Sequence, residues 1–436
     1  MNVQPSPRVR KLLIFAHTPP PHHGQSYMVQ QVLEGLGGDA RRRGTGSPGD
    51  PGLRCYHVNC RLSRDLEDIG SFRWLKPLLL VRYGAEAIWC RVRHGAMDFF
   101  CVPASPNRSA VYRDWAILLL ARLFFRRRIY YWQAAGLAEW METRACGMER
   151  WVTRRLLGGA DLSIVLTASG RADAEVLGSR RIEVIPNFIP DPCPECEREL
   201  VPARGQRAAI RRKVQAGQVL PPPACGAEPT IFRVLFLSLC TRTKGLFDAV
   251  EAVALANQTL AEERDPLRVH LDVAGGFWHE PERREFEERI QQPDLVHTRA
   301  RSSRDDSLPA SRSPSWVDYH GFVSGDAKRR LFLAADCFCF PTYYPAESFG
   351  LVLVEAMAYG LPVITSRWRH IPDLFPPNYP GLVDPQSPAQ IAAVFRRWLG
   401  GAGGPALRPW YEQHYATKKC LARLREVLVG SGRLLT

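Results

Sequence analysis

The sequence predicts an α/β protein of two domains, each a mostly parallel sheet covered by helices, and three observations carry that prediction. The chain has 436 residues, too many for one ordinary core and ample for two domains of roughly 200 residues each. Short β-branched and aromatic runs alternate with longer amphipathic ones through both halves, the pattern of strands joined by crossover helices. Between the halves, residues 190–229 lose that rhythm and fill with Pro, Cys and charge, as a boundary does.

In the first half, strand-like runs fall at 11–16, 98–102, 129–132, 162–166 and 182–185, with an amphipathic helix over 28–36. Residues 37–52 are rich in Gly, Pro and Arg and read as a loose loop. Residues 1–189 are therefore assigned to the first domain. Residues 190–229 are assigned to a linker or insertion holding one short helix near 208–214. The second domain, 230–410, repeats the alternation, with strands at 234–239, 269–273, 317–319, 337–340 and 363–365 and helices at 246–256 and 351–358. Residues 292–314, polar and rich in Arg and Ser, read as a disordered insertion. A last helix, about 416–429 within 411–436, is expected to pack back on the first domain.

Hydrophobic residues make up 45% and charged residues 23%, the usage of a chain able to bury a sizeable core. A net charge of +14 with a pI near 9.4 attracts anions: nucleic acid, acidic lipid or a phosphorylated small molecule. Arginines in loop-like segments, such as Arg41, Arg42 and Arg43, make a solvated basic surface an equal explanation. No zinc-finger spacing or RNA-binding aromatic signature accompanies the charge, so nucleic acid is not an expected partner. Twelve cysteines lie at no framework spacing. Cys193 and Cys196 form a lone pair with neither zinc-site nor redox context. With no secretory signal recognised, a reducing cytoplasm is the expected setting.

The apolar runs at 12–16, 78–81 and 117–125 are too short to cross a bilayer, and Arg122 interrupts the third. Trp74, Lys76, Arg82 and Tyr83 form one aromatic and basic group, and Phe124, Phe125, Arg126, Arg127 and Arg128 a second. Such mixing suits docking on an anionic membrane surface as well as it suits a core helix ending in a charged turn.

The stretch 340–365, FPTYYPAESFGLVLVEAMAYGLPVIT, holds the densest chemistry. Ser348 is placed as helix N-cap, with Glu347 in the preceding loop and Glu355 about two turns inside. Eight helical steps of about 1.5 Å would part the carboxylates by roughly 12 Å, the span of a nucleotide sugar from ribose to hexose. Glu355 is the only charge among Leu, Val, Ala and Met, so it needs a partner: ribose hydroxyls, or a buried Lys or Arg in a structural role. The N–H groups of Gly350 and Leu351 open the helix, where the dipole favours a diphosphate and Gly350 leaves it room.

Glu347, Ser348, Phe349, Gly350, then Glu355, Ala356, Met357, Ala358, Gly360 and Pro362 resemble the E-x7-E signature of glycosyltransferase family 4. The resemblance implies the GT-B fold, an α/β architecture of two Rossmann-like domains facing a central cleft, with the donor held by the second domain and the acceptor by the first. It implies that Glu355 binds ribose and Glu347 contacts the transferred sugar, with Ser348, Phe349, Gly350 and Leu351 around the donor. FLSLCTRTKG resembles the family's diphosphate loop, which assigns that task to Lys244 and Arg242; cations there stabilise a departing pyrophosphate. PPPHHGQSYMV resembles the loop after the first strand, where Gly24 lets backbone approach the donor. Ile185, Pro186 and Asn187 resemble the turn closing the first domain, with Phe188 where Gly is usual. The matches are weak before Pro186 and strongest over 322–374.

Two departures stand out. Leu239 stands near where the family often has a phosphate-binding Arg, for which Arg242 could compensate, and Gln133 follows the strand where it often has His. The resemblance implies a retaining glycosyltransferase of hexosyltransferase type acting on a nucleotide-sugar donor and a glycan or lipid-linked acceptor, in polysaccharide synthesis, cytoplasmic and peripheral at the inner membrane face. No Asp-x-Asp arrangement stands out, so neither metal nor cofactor is expected. A nucleotide-sugar epimerase or a phosphorylase would need further acids and bases or a lysine-bound pyridoxal phosphate. A non-catalytic nucleotide-sugar-binding protein is the alternative outside enzymes.

Overall fold

The structure is a computed structural model that describes residues 9–20, 23–42, 52–62, 75–103, 107–218, 230–296, 315–400 and 404–430. The chain forms two compact units. One comprises Met1–Pro190, Ala346–Leu351 and His414–Thr436; the other comprises Asp191–Pro345 and Val352–Gln413.

The first unit runs β1 (Arg10–Ala16), α1 (Gly24–Gly35), β2 (Leu53–Asn59), α2 (Leu75–His94), β3 (Asp98–Cys101), α3 (Arg108–Phe124), β4 (Arg128–Tyr131), α4 (Leu137–Thr143), α5 (Gly147–Leu157), β5 (Leu162–Val165), α6 (Arg171–Glu175) and β6 (Ile182–Val184). Its strands pair in parallel in the order β2-β1-β3-β4-β5-β6. Leu12, Leu13 and Ile14 are wholly buried, because a central parallel strand is covered on both faces and reads as a continuous apolar run. Strand β2 and helices α2, α4, α5 and α6 are among the elements that escape the sequence reading. Strand β2 follows directly on the Gly- and Pro-rich loop. Helix α2 buries Ala87 and Cys90 yet exposes Leu78, Val81, Trp89 and Val92, so its apolar residues trace no single stripe.

The second unit runs α7 (Val201–Gln215), β7 (Ile231–Leu237), α8 (Leu246–Glu262), β8 (Arg268–Ala274), α9 (Glu280–Arg289), β9 (Val317–Tyr319), α10 (Gly325–Ala334), β10 (Cys337–Phe340), α11 (Leu351–Ala358), β11 (Val363–Ser366), β12 (Leu382–Val383), α12 (Pro388–Leu399) and α13 (Arg408–His414). The parallel order is β12-β11-β10-β7-β8-β9. Counted from β7, this is the doubly wound Rossmann order, which reverses direction between β7 and β10. Both sheets are doubly wound and parallel, the two Rossmann-like domains that the resemblance implies.

The segment 190–229 is more than a linker. Helix α7 spans 15 residues and belongs to the second unit. Its inner side is held by arginines: Arg204 Nε donates to Ala335 O at 3.1 Å, while Arg207 Nε and Arg211 Nη1 each donate to Asp336 at 2.9 Å. A helix anchored by Arg at i, i+3 and i+7 leaves no apolar period in the sequence. Cys193 and Cys196 are buried and free, and burial pushes the Cys193 thiol up to about 12. The polar stretch 292–314 lies outside the described residues from 297 onward.

The last helix, α14 (Thr417–Gly430), belongs to the first unit. Arg10 donates to Leu428 O, Arg423 Nη2 stands 3.0 Å from Glu183 Oε2, and Ala416 bridges Ile189. A Cβ on Gly35 would fall 2.4 Å from Leu421 Cδ1, so α1 and α14 touch through glycine.

Candidate functional site

Open α/β sheets bind ligands outside the carboxyl ends of their strands, where the strand order reverses. In the second unit that place lies beyond β7 and β10. The turn after β7, Arg242–Lys244, ends on Gly245 at φ 81°. A Cβ on Gly245 would lie 2.3 Å from Pro341 O, in the loop after β10, so glycine is required for both conformation and contact. Tyr343 N donates to Thr243 O at 2.8 Å, and Thr342 Oγ1 reaches the same carbonyl at 3.4 Å. The two loops are thereby fixed as one surface.

On that surface Lys244 Nζ lies 4.5 Å from the ring centre of Tyr344 and 5.6 Å from that of Phe340. Arg242 faces elsewhere. Its guanidinium pairs with Glu285 and stacks 4.3 Å over Phe247, and it lines a hollow with Asp248, Glu251, Glu285 and Glu288. Arg289 lines it too, paired with Glu251, so in this arrangement the Arg242 guanidinium is held by a carboxylate of α9.

Glu355 finds its partner in Lys328 of α10, Nζ to Oε1 2.5 Å, with 19% and 31% of the two side chains exposed. Burial pushes the Glu355 carboxyl above the usual carboxylate range, and Lys328 opposes that shift. The sequence reading missed Lys328, whose only signal was the isolated charge of Glu355 itself.

The first unit gathers the other candidates. Helix α11 begins at Leu351, after Gly350 at φ 72°, so Ser348 is not its N-cap. Ser348 Oγ instead donates to Gln133 O at 2.6 Å. Only the steps from Leu351 to Glu355 are helical, which places Glu355 little more than one turn inside and removes the basis of the 12 Å helical estimate. Phe349 is buried edge-on to Tyr415 at 6.0 Å, and Glu347 is also buried. Gly24 opens α1, where an added Cβ would sit 3.3 Å from Leu351 Cδ1. Thus Gly24, Glu347, Ser348, Phe349, Gly350 and Leu351 belong to one unit, and Arg242, Lys244 and Glu355 to the other.

Gln133 has a structural explanation. Its amide exchanges two bonds with Asn187, Nε2 to Oδ1 2.8 Å and Nδ2 to Oε1 2.9 Å, and Tyr131 OH donates to Asn187 Oδ1 at 2.8 Å. An imidazole could not return both amide bonds. In the loop after β1, His17 and His23 meet Nε2 to Nε2 at 2.8 Å; burial and then His23 push His17 down to about 4. His22 lies outside the described residues.

Among the described residues one group has metal-ligand spacing: His270, Asp272 and Asp318, with ligand atoms within 4.8 Å of one another. Arg233 Nη1 stands 3.2 Å from Asp272 and His320 Nε2 2.8 Å from it. The cluster therefore already carries its cations, and an ion-pair network accounts for it.

Residues 314–410 match the family model described as "Glycosyl transferases group 1". Among curated proteins, the chain is 38% identical over 88 residues to an uncharacterised glycosyltransferase of Methanocaldococcus jannaschii, covering 20% of this chain and 22% of that protein. It is 37% identical over 59 residues to O-antigen chain mannosyltransferase B of Escherichia coli, covering 14% and 15%. The chain thus spans about a fifth or less of the length of these relatives. Among solved structures, sucrose-phosphate synthase from Thermosynechococcus elongatus is similar with a TM-score of 0.58 at 18% identity, over 96% of this chain and 98% of that one. The Anabaena protein HepE, solved with UDP, is similar with a TM-score of 0.59 at 14% identity, over 97% and 100%. The family match and the shared fold support a glycosyltransferase family.

Proposed function

We propose that this chain is a retaining, family 4 glycosyltransferase moving a hexosyl group from a nucleotide sugar to a glycan or lipid-linked acceptor. It would act in cell-surface polysaccharide synthesis, in the cytoplasm and at the inner face of the membrane. The observation that carries the reading is the fused pair of loops at the switch point of the second sheet, which presents Lys244 beyond the strand ends. An ammonium there, with the opening N–H groups of α11, suits a diphosphate. Glu355 accepts bonds from ribose hydroxyls beside Lys328, and Glu347 is assigned to the transferred sugar. Gly24 and the segment from Ser348 to Leu351 give backbone room to the donor. Arg242, held by Glu285, is left outside the donor set. UDP in HepE and the O-antigen role named for the E. coli relative agree with this donor and this pathway class.

In the reaction the acceptor oxygen bonds to the anomeric carbon on the face from which the diphosphate leaves. The bond from that carbon to the phosphate oxygen breaks, and this oxygen takes the acceptor proton. The nucleoside diphosphate departs with retained configuration. The protein acts by positioning and by placing positive charge where negative charge develops. No resident cofactor or metal enters the scheme. A second reading, a binding protein without turnover, is favoured by Gln133, whose side chain is committed to Asn187 where the family often has His.

Nucleotide release from UDP-, GDP- and ADP-sugars, with glycan and lipid-linked acceptors, tests the proposal against Glu355→Ala, Glu347→Ala and Lys244→Met. Release from one donor, lost in all three folded variants, supports transfer. Nucleotide binding without release under every condition supports the binding protein.

A further inference from the structure

The first unit carries an exposed apolar surface to which the proposed transfer assigns no residue. On α2, Leu78, Val81, Trp89 and Val92 are 67%, 72%, 56% and 76% exposed. They recur every three or four residues or at multiples of that spacing, together with exposed Arg82 and Arg93, and so form one helical stripe. On α3, Tyr112, Leu119 and Leu123 are 44%, 51% and 71% exposed, again at helical spacing, and on α5 Met148 and Trp151 are 70% and 67% exposed.

The topology puts these stripes side by side. The crossovers β2 to β3, β3 to β4 and β4 to β5 all move the same way along the sheet, and right-handed crossovers of one direction lie on one face. Contacts between the helices agree. A Cβ on Gly84 of α2 would meet Leu120 of α3 at 2.8 Å. Trp115 Nε1 of α3 lies 3.1 Å from Thr153 Oγ1 of α5, and Arg122 Nε lies 3.1 Å from Leu156 O. These contacts occupy the flanks of α3, so the apolar residues between them point outward.

The face is also basic. Helices α2, α3 and α5 carry four, three and three Lys or Arg against one carboxylate each, and those carboxylates, Glu86, Asp114 and Glu149, are each paired with an arginine. Exposed apolar side chains with Trp and Tyr among unmatched guanidinium groups suit a surface of acyl chains beneath anionic headgroups. A two-fold contact with a second copy would set arginine against arginine. None of the described helices is long and apolar enough to cross a membrane. We infer that the α2–α3–α5 face docks flat on an anionic lipid bilayer. This inference stands whether or not the chain transfers sugar.

The test is flotation of the full chain with vesicles of phosphatidylcholine and of phosphatidylcholine mixed with phosphatidylglycerol, at low and high salt. The parent chain is expected to float with the anionic vesicles and to be partly released by salt. Two variants, Trp89→Ser with Val92→Ser, and Arg82→Glu with Arg93→Glu, are each expected to lower the bound fraction on the order of tenfold or more. Phe322→Ser, 83% exposed in the second unit, is expected to leave binding intact. All these positions are exposed, so unchanged circular dichroism and melting certify folding. A parent chain that ignores anionic vesicles overturns the inference. So do stripe variants that bind like the parent, a Phe322→Ser loss equal to theirs, or a dimer in sedimentation that only the stripe variants dissociate.

Discussion

Replacing Lys328 by Met strands the carboxylate of Glu355, and the consequence can be worked from their geometry. The ammonium lies 2.5 Å from the carboxylate, with 31% of Lys328 and 19% of Glu355 exposed. Deleting one partner of a fully buried pair costs about 3–5 kcal/mol; solvent access on the lysine side reduces this to about 1–3 kcal/mol. The loss has a definite pH signature. Burial already holds the Glu355 carboxyl above its ordinary value of 4.5, so folding disfavours its charged form, and removing the cation raises it further. Such a group destabilises the fold above its unfolded pKa and ceases to do so once protonated in both states. Urea unfolding of the parent and Lys328→Met at pH 8 and near pH 4 reads the effect as a shift in midpoint at constant slope. The variant is expected to lose most at pH 8 and to approach the parent in acid. Glu355→Gln is expected to cost less, since Lys328 can turn to water, and the double variant to recover part of the Lys328→Met loss. A loss that stays flat with pH, or singles that add without coupling, would refute the assignment of Lys328 as the partner of Glu355.

Three further outcomes follow from other contacts. Gly245→Ala must place Ala at φ 81° and a Cβ 2.3 Å from Pro341 O; it is expected to cost upward of about 3 kcal/mol, against about 1 kcal/mol for Gly38→Ala, at φ 75° with nothing within 4 Å, as thermal melts of both will show. Asn187→Ala strips Tyr131 and Gln133 of their buried partners and is expected to lower stability by about 2–4 kcal/mol in urea. Glu149 accepts bonds from Tyr112, the Cys146 N–H and Arg108, which pull its carboxyl from 4.5 down to about 2. Its contribution is therefore complete above pH 4.5 and is lost as pH falls through 2, so Glu149→Gln should melt lower at neutral pH and flatten the acid limb of Tm against pH.

The strands other than β2 and β12 were legible, most of them because parallel strands buried on two faces are unbroken apolar runs; 317–319, 337–340 and the helix 351–358 were read with the bounds the structure gives them. What escaped obeys other physics. Helix α7 turns arginines inward, and α2 turns tryptophan, leucine and valine outward, so each inverts the pattern by which helices are found. The two aromatic and basic groups, read equally as membrane-facing or as core helix and charged turn, divide between those readings. Phe125 and Arg128 are buried, Tyr83 bonds to Arg61 O at 3.1 Å, Trp74 lies outside the described residues, and the exposed stripe joins the marked Leu78, Val81 and Arg82 to Trp89, Val92 and Arg93, which the sequence reading did not mark. At the site, the residue types around Glu355 demanded a partner without naming it, since Lys328 comes from another helix and only the fold brings the two together. The N-cap assigned to Ser348 failed because a positive φ at Gly350 starts the helix later than side-chain preference suggested.

The return of α14 to the first unit bears on how the protein is made. A ribosome releases the chain from its beginning, and domains generally fold as they emerge. Here the strands of the first sheet are synthesised early, but Arg10, Glu183 and Ile189 meet their partners on 416–428 only after the whole second unit has followed. Until then the side of α1 at Gly35 that receives Leu421 is bare. The part made first is thus finished last, and a fragment ending near residue 190 would remain in that interim state, depending on chaperones or on a separately supplied α14 peptide to stay in solution.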